Sequence, residues 1–399
     1  MKDTAHLKAL DSFECTGSKC PRSCCSGWQI EVEQTLLEKW QQHPDKDERD
    51  WLLNTLPENK KGRKQVLMEE SDLRCPFLNK ENLCNIQIQH DQSFIPATCR
   101  EYPRVNIDTT NRQYQSAYLS CPEIVRLTLF SKQYDNPYTT SHANNTTANQ
   151  QQNPHEQINF SLDKLLNKVL KLDQFPLGLR LFYISNFFSD FFDYVKQNDI
   201  QPEQINQIGK QLKDILKDAG QAVRQKQIIV DPVTAGSYWQ SIYAHCNTFD
   251  IDARFMEDKT SPLTNCLINC DNTHAGFTRI YSSLKDYLKH CQPIIKKHYQ
   301  TLVKTYTQVY FKNNGLPLLP RHKTTNITLV QCMIGLSIFQ LLLWMQIKQH
   351  GKLDDMLLQE LIVEIQRKMA HNDAIARHLE SNPHMLQIGQ YCTCFIDMF

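Results

Sequence analysis

Four thiols fall within eleven residues, at Cys15, Cys20, Cys24 and Cys25, inside the stretch Phe13 to Trp28 (FECTGSKCPRSCCSGW). No ordinary core needs thiols at that density, and crowded thiolates repel one another unless a metal or cluster neutralises them. The stretch therefore reads as a metal-binding loop. Four more cysteines follow within the first third of the chain, at Cys75, Cys84, Cys99 and Cys121, each beside large apolar residues, prolines or arginines. The remaining seven are scattered over the other two thirds.

The compartment follows from length and cysteine usage. A chain of 399 residues with fifteen cysteines has room for roughly two or three domains of ~150 residues. A secreted disulfide scaffold is usually shorter and preceded by a signal peptide. Met1 to Lys8 has no apolar core of that kind, so reduced thiols and a cytoplasmic location are expected. A net charge of +1, with both signs interspersed, offers neither a field nor a basic tract for nucleic acid. The most apolar run, Met333 to Met345, is shorter than the ~20 residues that span a bilayer. It reads as a buried helix, so no membrane partner is expected.

The pattern divides the chain into three. Residues 1–131 form an irregular cysteine-rich module. It contains a helix over Gln29 to Trp40, two short segments joined by the turn Asn79-Lys80-Glu81-Asn82, a polar strand-like stretch ending at Leu119, and a helix over Ile124 to Phe130 started by Pro122. Residues 132–158 are rich in Asn, Gln, Thr and Ser with almost no aliphatic side chains, and read as a polar linker. Residues 159–399 have helical periodicity over Leu162 to Leu172, Leu179 to Val195, Ile205 to Leu216, Leu284 to Tyr310, Leu329 to Gln349 and Leu353 to Ala376. The aromatic segment Phe187 to Tyr194 reads as a central buried element. The fold class is mainly α, with the cysteine-rich module packed on a C-terminal helical domain.

Absent motifs narrow the chemistry. The twelve glycines are never closer than ten residues apart, which excludes G-x-G-x-x-G and the P-loop. There is no C-x-x-C, hence no thioredoxin motif, common zinc-ribbon knuckle or bacterial ferredoxin run. A tetrahedral zinc or a cubane iron–sulfur cluster needs four thiolates, so eight serve one centre with spares or two centres. Neighbouring side chains at Cys24 and Cys25 are expected to diverge and not to share one iron. Cys246, Cys291 and Cys332 read as buried small hydrophobes. Cys266, Cys270, Cys392 and Cys394 lack third and fourth partners, and no histidine makes a ligand-spaced pair with a cysteine.

Five motifs carry a resemblance. F-x-C-x4-C-x3-C-C-x-G-W (Phe13 to Trp28), C-P-F-L (Cys75 to Leu78), L-C-x-I (Leu83 to Ile86), T-C-R-x-Y-P-R (Thr98 to Arg104) and L-S-C-P-E (Leu119 to Glu123) together resemble the flagellin lysine-N-methylases. These belong to a wider group of cysteine-cluster proteins taken as zinc or iron chelators. The match covers about the first third of the chain, and Pro21-Arg22-Ser23 lacks the acidic residue of the family pattern. The resemblance implies a protein-lysine N-methyltransferase that modifies flagellin with S-adenosylmethionine as donor. It also implies a [4Fe-4S] cluster, with zinc as the alternative, on metal ligands drawn from Cys15, Cys20, Cys24, Cys25, Cys75, Cys84, Cys99 and Cys121. It assigns no donor-binding or lysine-binding residue. Two rivals stand beside it: a non-catalytic zinc- or iron-binding interaction protein, and a redox protein with an electron partner.

Overall fold

The computed structural model describes residues 3–131 apart from 29, 55, 60–61, 70–73 and 109–111, then 136–141, 154–175, 178–181, 231–256, 259, 261–291, 293–295, 297–314 and 322–370, with isolated positions between 184 and 221. The chain is mainly α-helical, with one small mixed sheet and one two-stranded ribbon.

Short elements build the cysteine-rich module around a few large anchors. Strand β2 (Ile30–Glu31) pairs antiparallel with β3 (Gln65–Val66). The helix expected from Gln29 is therefore shorter, with α1 at Gln34–Gln41, because Ile30 is buried against Val66 in extended form. Leu36, Leu37 and Trp40 of α1 pack with Leu52 of α2 (Lys46–Asn54), Phe77, Ile86 of α3 (Asn85–Gln89) and Ile95. The Glu33 carboxylate accepts the Ala97 backbone N–H, which ties α1 to α4 (Ala97–Glu101). The turn at Asn79 to Asn82 forms as expected: Asn79 Oδ1 accepts the N–H groups of Glu81 and Leu83 at 3.0 and 2.9 Å.

Strands β4 (Arg104–Asp108) and β5 (Arg112–Ala117) form an antiparallel pair. Strand β1 (Asp3–Leu7) adds to β5 in parallel, and β6 (Tyr138–Ser141) adds antiparallel to β1, giving the order β4-β5-β1-β6. Strand β6 lies inside the polar stretch 132–158, and α6 (Pro154–Leu170) begins before that stretch ends. Positions 142–153 are outside the described residues.

Helix α5 (Pro122–Val125) continues as a π-turn to Phe130. The helical part holds α7 (Pro232–Thr248), α8 (Pro262–Ile268), α9 (His274–Cys291), α10 (Lys297–Asn313), α11 (His322–His350) and α12 (Asp355–Ala370). Helices α9 and α10 divide the single helix expected over Leu284 to Tyr310, because Pro293 lacks an N–H and its ring blocks helix continuation. Helices α7 and α9 approach closely: a Cβ at Gly236 would lie 2.0 Å from the Phe277 carbonyl oxygen. The expected helices Leu179 to Val195 and Ile205 to Leu216, with Phe187 to Tyr194, fall largely outside the described residues.

Helix α11 is the central element, apolar around its whole circumference as a core helix must be. Its segment Val330–His350 is long and apolar enough to cross a bilayer, longer than the run at 333–345 suggests, yet 94% of its most apolar stretch is buried within the fold. One large core crosses the boundary expected at 131. Leu7, Ala117, Leu119 and Ile124 pack with Leu162, Trp239, Leu284 and Trp344. The sheet and α5 thereby hold the cysteine loop against the helices.

Candidate metal centre

All eight cysteines of the first third line one cavity of about 650 Å³. Backbone geometry brings them there from five places. The first loop is turned by Gly27, whose φ of 81° suits glycine. It is tightened by the Ser23 hydroxyl, which accepts the Cys25 N–H at 3.1 Å, and by the Trp28 indole N–H on the Cys24 carbonyl. Cys75 donates its N–H to the Cys25 carbonyl at 2.8 Å, which docks the second segment onto the first. Leu78 and Cys84 bridge antiparallel across the Asn79 turn. Cys99 lies in α4, and Cys121 caps α5 with Pro122 at its first turn.

The thiols interact in two sets. Burial pushes the Cys75 thiol up to about 12, with Cys25 and Cys84 adding repulsion. Burial likewise raises Cys84 and Cys99, the former with Cys25 nearby and the latter with Cys25, Cys75 and Cys84. In the second set, burial raises Cys121 to about 11, with Cys20 and Cys15 adding to it. Cys24 is raised first by its hydrogen bond to Cys25 and then by burial, with Cys15 and Cys99 also close. Cys25, Cys75, Cys84 and Cys99 thus form one set and Cys15, Cys20 and Cys121 the other, with Cys24 between them beside Cys25, Cys15 and Cys99. Cys24 and Cys25 join the two sets, each perturbing the other's thiol.

An arginine from the far end of the chain grips this loop. The Arg367 guanidinium, on α12, donates to the carbonyls of Arg22, Ser23 and Ser26 at 3.2, 2.9 and 2.5 Å. Its neighbour Glu364 pairs with Arg22 at 2.8 Å, and Asp252 meets the same guanidinium at 3.3 Å. The helical part thereby brings two carboxylates to Pro21-Arg22-Ser23. A smaller cavity of about 230 Å³ adjoins the first and is lined by Arg22, Cys24, Trp28, Tyr102, Glu364 and Arg367, among others. The rings of Trp28 and Tyr102 lie 5.4 Å apart, centre to centre. Sequence reasoning missed Glu364 and Arg367, whose positions in an amphipathic helix look like ordinary solvated charges.

Residues 14–136 match the model of the family CxxCxxCC, described as "Putative zinc- or iron-chelating domain". The match falls on the cysteine-rich module and covers under a third of the chain. Three similar proteins are known from Salmonella. The chain is 28% identical to the flagellar biosynthetic protein FliU of Salmonella muenchen over 115 residues, covering 28% of this chain and 68% of that protein. It is also 28% identical over 116 residues to proteins named lysine-N-methylase from Salmonella typhimurium and Salmonella choleraesuis, covering 28% of this chain and 29% of each of them. The similarity thus spans less than a third of the methylases' length. No solved structure matches the chain.

Outside residues 14–136, the described distal cysteines stay apart from the cavity. Cys246, Cys291 and Cys332 are buried in the large core, as expected, while Cys266 and Cys270 pack at its edge. Cys392 and Cys394 lie outside the described residues. Cys25 stands out chemically. A hydrogen bond from the Cys24 thiol lowers it to about 7, against the opposing effect of burial, with help from the Ser23 hydroxyl and the Arg367 cation. A thiolate is the reactive form. In reduced, metal-free protein, Cys25 is expected to react with iodoacetamide before Cys75 and Cys121 as pH rises. Its rate should climb through about pH 7, while Cys75 and Cys121 stay slow until far higher pH. Peptide mass mapping of alkylation between pH 6 and 9 checks the order.

Proposed function

We propose that the chain is a protein-lysine N-methyltransferase that modifies lysine ε-amines of flagellin, with S-adenosylmethionine as donor and iron–sulfur centres held by the chelating domain. The observation that carries this reading is the cavity lined by all eight thiols, together with the 28% identity to lysine-N-methylases over 116 residues. The donor set fits a cluster better than a lone ion. A zinc–thiolate bond of ~2.3 Å places tetrahedral thiolates ~3.8 Å apart. Among the described residues, the one set of three metal-ligating side chains with donor atoms all within 4.8 Å of one another contains no cysteine. Two centres, one on Cys25, Cys75, Cys84 and Cys99 and the other on Cys15, Cys20, Cys24 and Cys121, use every thiol. Four thiols each close the coordination, so a bound cluster would supply a structural staple or an electron-carrying group.

The smaller cavity is then the place for the lysine. A lysine amine, with an unperturbed pKa of ~10.4, must lose its proton before its lone pair can attack a methyl carbon. Nitrogen forms the new bond as the carbon–sulfur bond breaks, and the proton leaves with a base or water. The rings of Trp28 and Tyr102 offer faces that attract an ammonium or a methylated amine. The buried Glu364 carboxylate adds charge to draw it in, and Arg22 holds that carboxylate in position. In-line approach to the donor is a positioning task, met here by the loop that Arg367 anchors.

The test is protein purified without oxygen, assayed for iron and sulfide and then for methyl transfer from labelled S-adenosylmethionine to flagellin. Bound iron and sulfide with labelled lysine is the expected result. Iron or zinc without transfer, and without donor binding, would overturn it. That outcome favours the second reading, a non-catalytic zinc- or iron-binding interaction protein.

A further inference from the structure

The chelating domain carries a second cluster of metal-ligating side chains that uses no thiol. His43 lies in the connection between α1 and α2, Glu48 in the first turn of α2, and His90 at the end of α3. Their donor atoms all lie within 4.8 Å of one another. His43 Nε2 is 3.6 Å from one Glu48 oxygen, and His90 Nε2 is in close contact with the other. The side chains are 12%, 24% and 16% exposed for His43, Glu48 and His90, so an ion can enter from solvent yet be largely enclosed.

The hydrogen bonds argue for a cation between these groups. His43 Nδ1 faces the Asp45 carbonyl at 3.4 Å. A carbonyl only accepts, so Nδ1 carries the hydrogen, and in neutral imidazole Nε2 then presents a lone pair to the Glu48 carboxylate. Two acceptors facing each other repel; a proton on Nε2 would turn the contact into an ion pair, and a metal ion satisfies both groups without one. A ligating histidine typically donates its other ring N–H to a carbonyl in this way. The frame is already rigid. Arg49 donates to the His43 carbonyl at 2.8 Å, Asp45 caps α2 by accepting the Glu48 N–H at 3.0 Å, and the His90 ring stacks on Phe94 at 4.2 Å.

We propose that His43, Glu48 and His90 bind one zinc ion through two imidazole nitrogens and a carboxylate, with a fourth position open to water. This donor set is one zinc accepts readily. The site is separate from the thiols, although His90 also lines their cavity. It is missed in the sequence because its ligands come from positions 43, 48 and 90 and include no cysteine.

The test uses full-length protein with its cysteine-bound metal in place, titrated with zinc sulfate and analysed for zinc, iron and sulfide. Wild type should take up one more zinc per chain than Glu48→Gln, with iron and sulfide equal in both. The variant's affinity should fall by more than the ~10–100-fold that loss of an outer partner alone costs. Glu48→Gln preserves shape, and His43→Gln is the second variant, chosen because His43 does not line the thiol cavity. Cobalt(II) added in place of zinc should show visible bands without sulfur-to-metal charge transfer. Equal zinc uptake by wild type and both variants, or a thiolate signature for the added ion, would overturn the site and leave only a hydrogen-bonded His–Glu–His set.

Discussion

Cys99→Ser is expected to empty one four-thiol centre and leave the other loaded, so that iron and sulfide per chain fall to about half. The reason is the partition of the thiols. Cys99 feels Cys25, Cys75 and Cys84, whereas Cys121 feels Cys20 and Cys15. Cys20→Ser should do the converse, and Cys394→Ser should leave metal content unchanged. The cost in stability is large because the module around α1 to α4 has a small core of its own, from Ile30 to Ile95. Binding free energy at a structural metal site is folding free energy, of order 10–16 kcal/mol in zinc-finger peptides. Losing one of four ligands is expected to remove several kcal/mol of that from the module. Metal analysis and thermal melting of the three variants check this. Complete loss of metal in both Cys99→Ser and Cys20→Ser would mean one centre spanning both sets, and unchanged content in either would remove that cysteine from the ligands.

Much of this site was legible because cysteine signals by identity. The eight thiols converge on one cavity whatever the intervening fold, since chemistry that needs four soft ligands per centre leaves them few alternatives. Local turns were legible for a similar reason: Asn79 to Asn82 carries its own side-chain acceptor, and Pro122 marks the start of α5. Long-range pairing was not. Strand β1 pairs with β5 at Asp3↔Arg112 and with β6 at Thr4↔Ser141. All three strands are short and polar, so no alternation betrays them. Tyr138 is the one aromatic that anchors β6 in the core, inside a stretch that otherwise reads as solvated. Helix breaks depend on single residues, as at Pro293, which a periodicity window averages away. The same blindness hides Glu364 and Arg367. Their helix was expected, but which charged side chains turn inward depends on the cysteine loop lying beneath them.

That inward turn makes Arg367 the second position of large effect. Arg367→Ala should lower stability by about 2–4 kcal/mol, since charge-assisted hydrogen bonds contribute ~1.5–3 kcal/mol each and water can replace part of the set. Three loop carbonyls lose their donor at once, and the Arg22–Glu364 pair is left to tie the loop between Cys20 and Trp28 to α12. A second consequence is electrostatic. Removing the cation that helps depress Cys25 should raise that thiol, shifting its alkylation profile to higher pH. Arg367→Lys separates the two effects: a lysine keeps the charge, but its single ammonium cannot span carbonyls as a planar guanidinium does. It should therefore hold the Cys25 profile near that of wild type while losing much of the stability. Thermal melting and pH-dependent alkylation of both variants measure the two effects independently. If Arg367→Ala melts like wild type, Arg367 does not hold the loop and the ion pairs of Arg22 with Glu364 and Asp252 suffice. In that case the smaller cavity cannot owe its shape to the Arg367 contact, and the positioning of the lysine site would rest on those ion pairs.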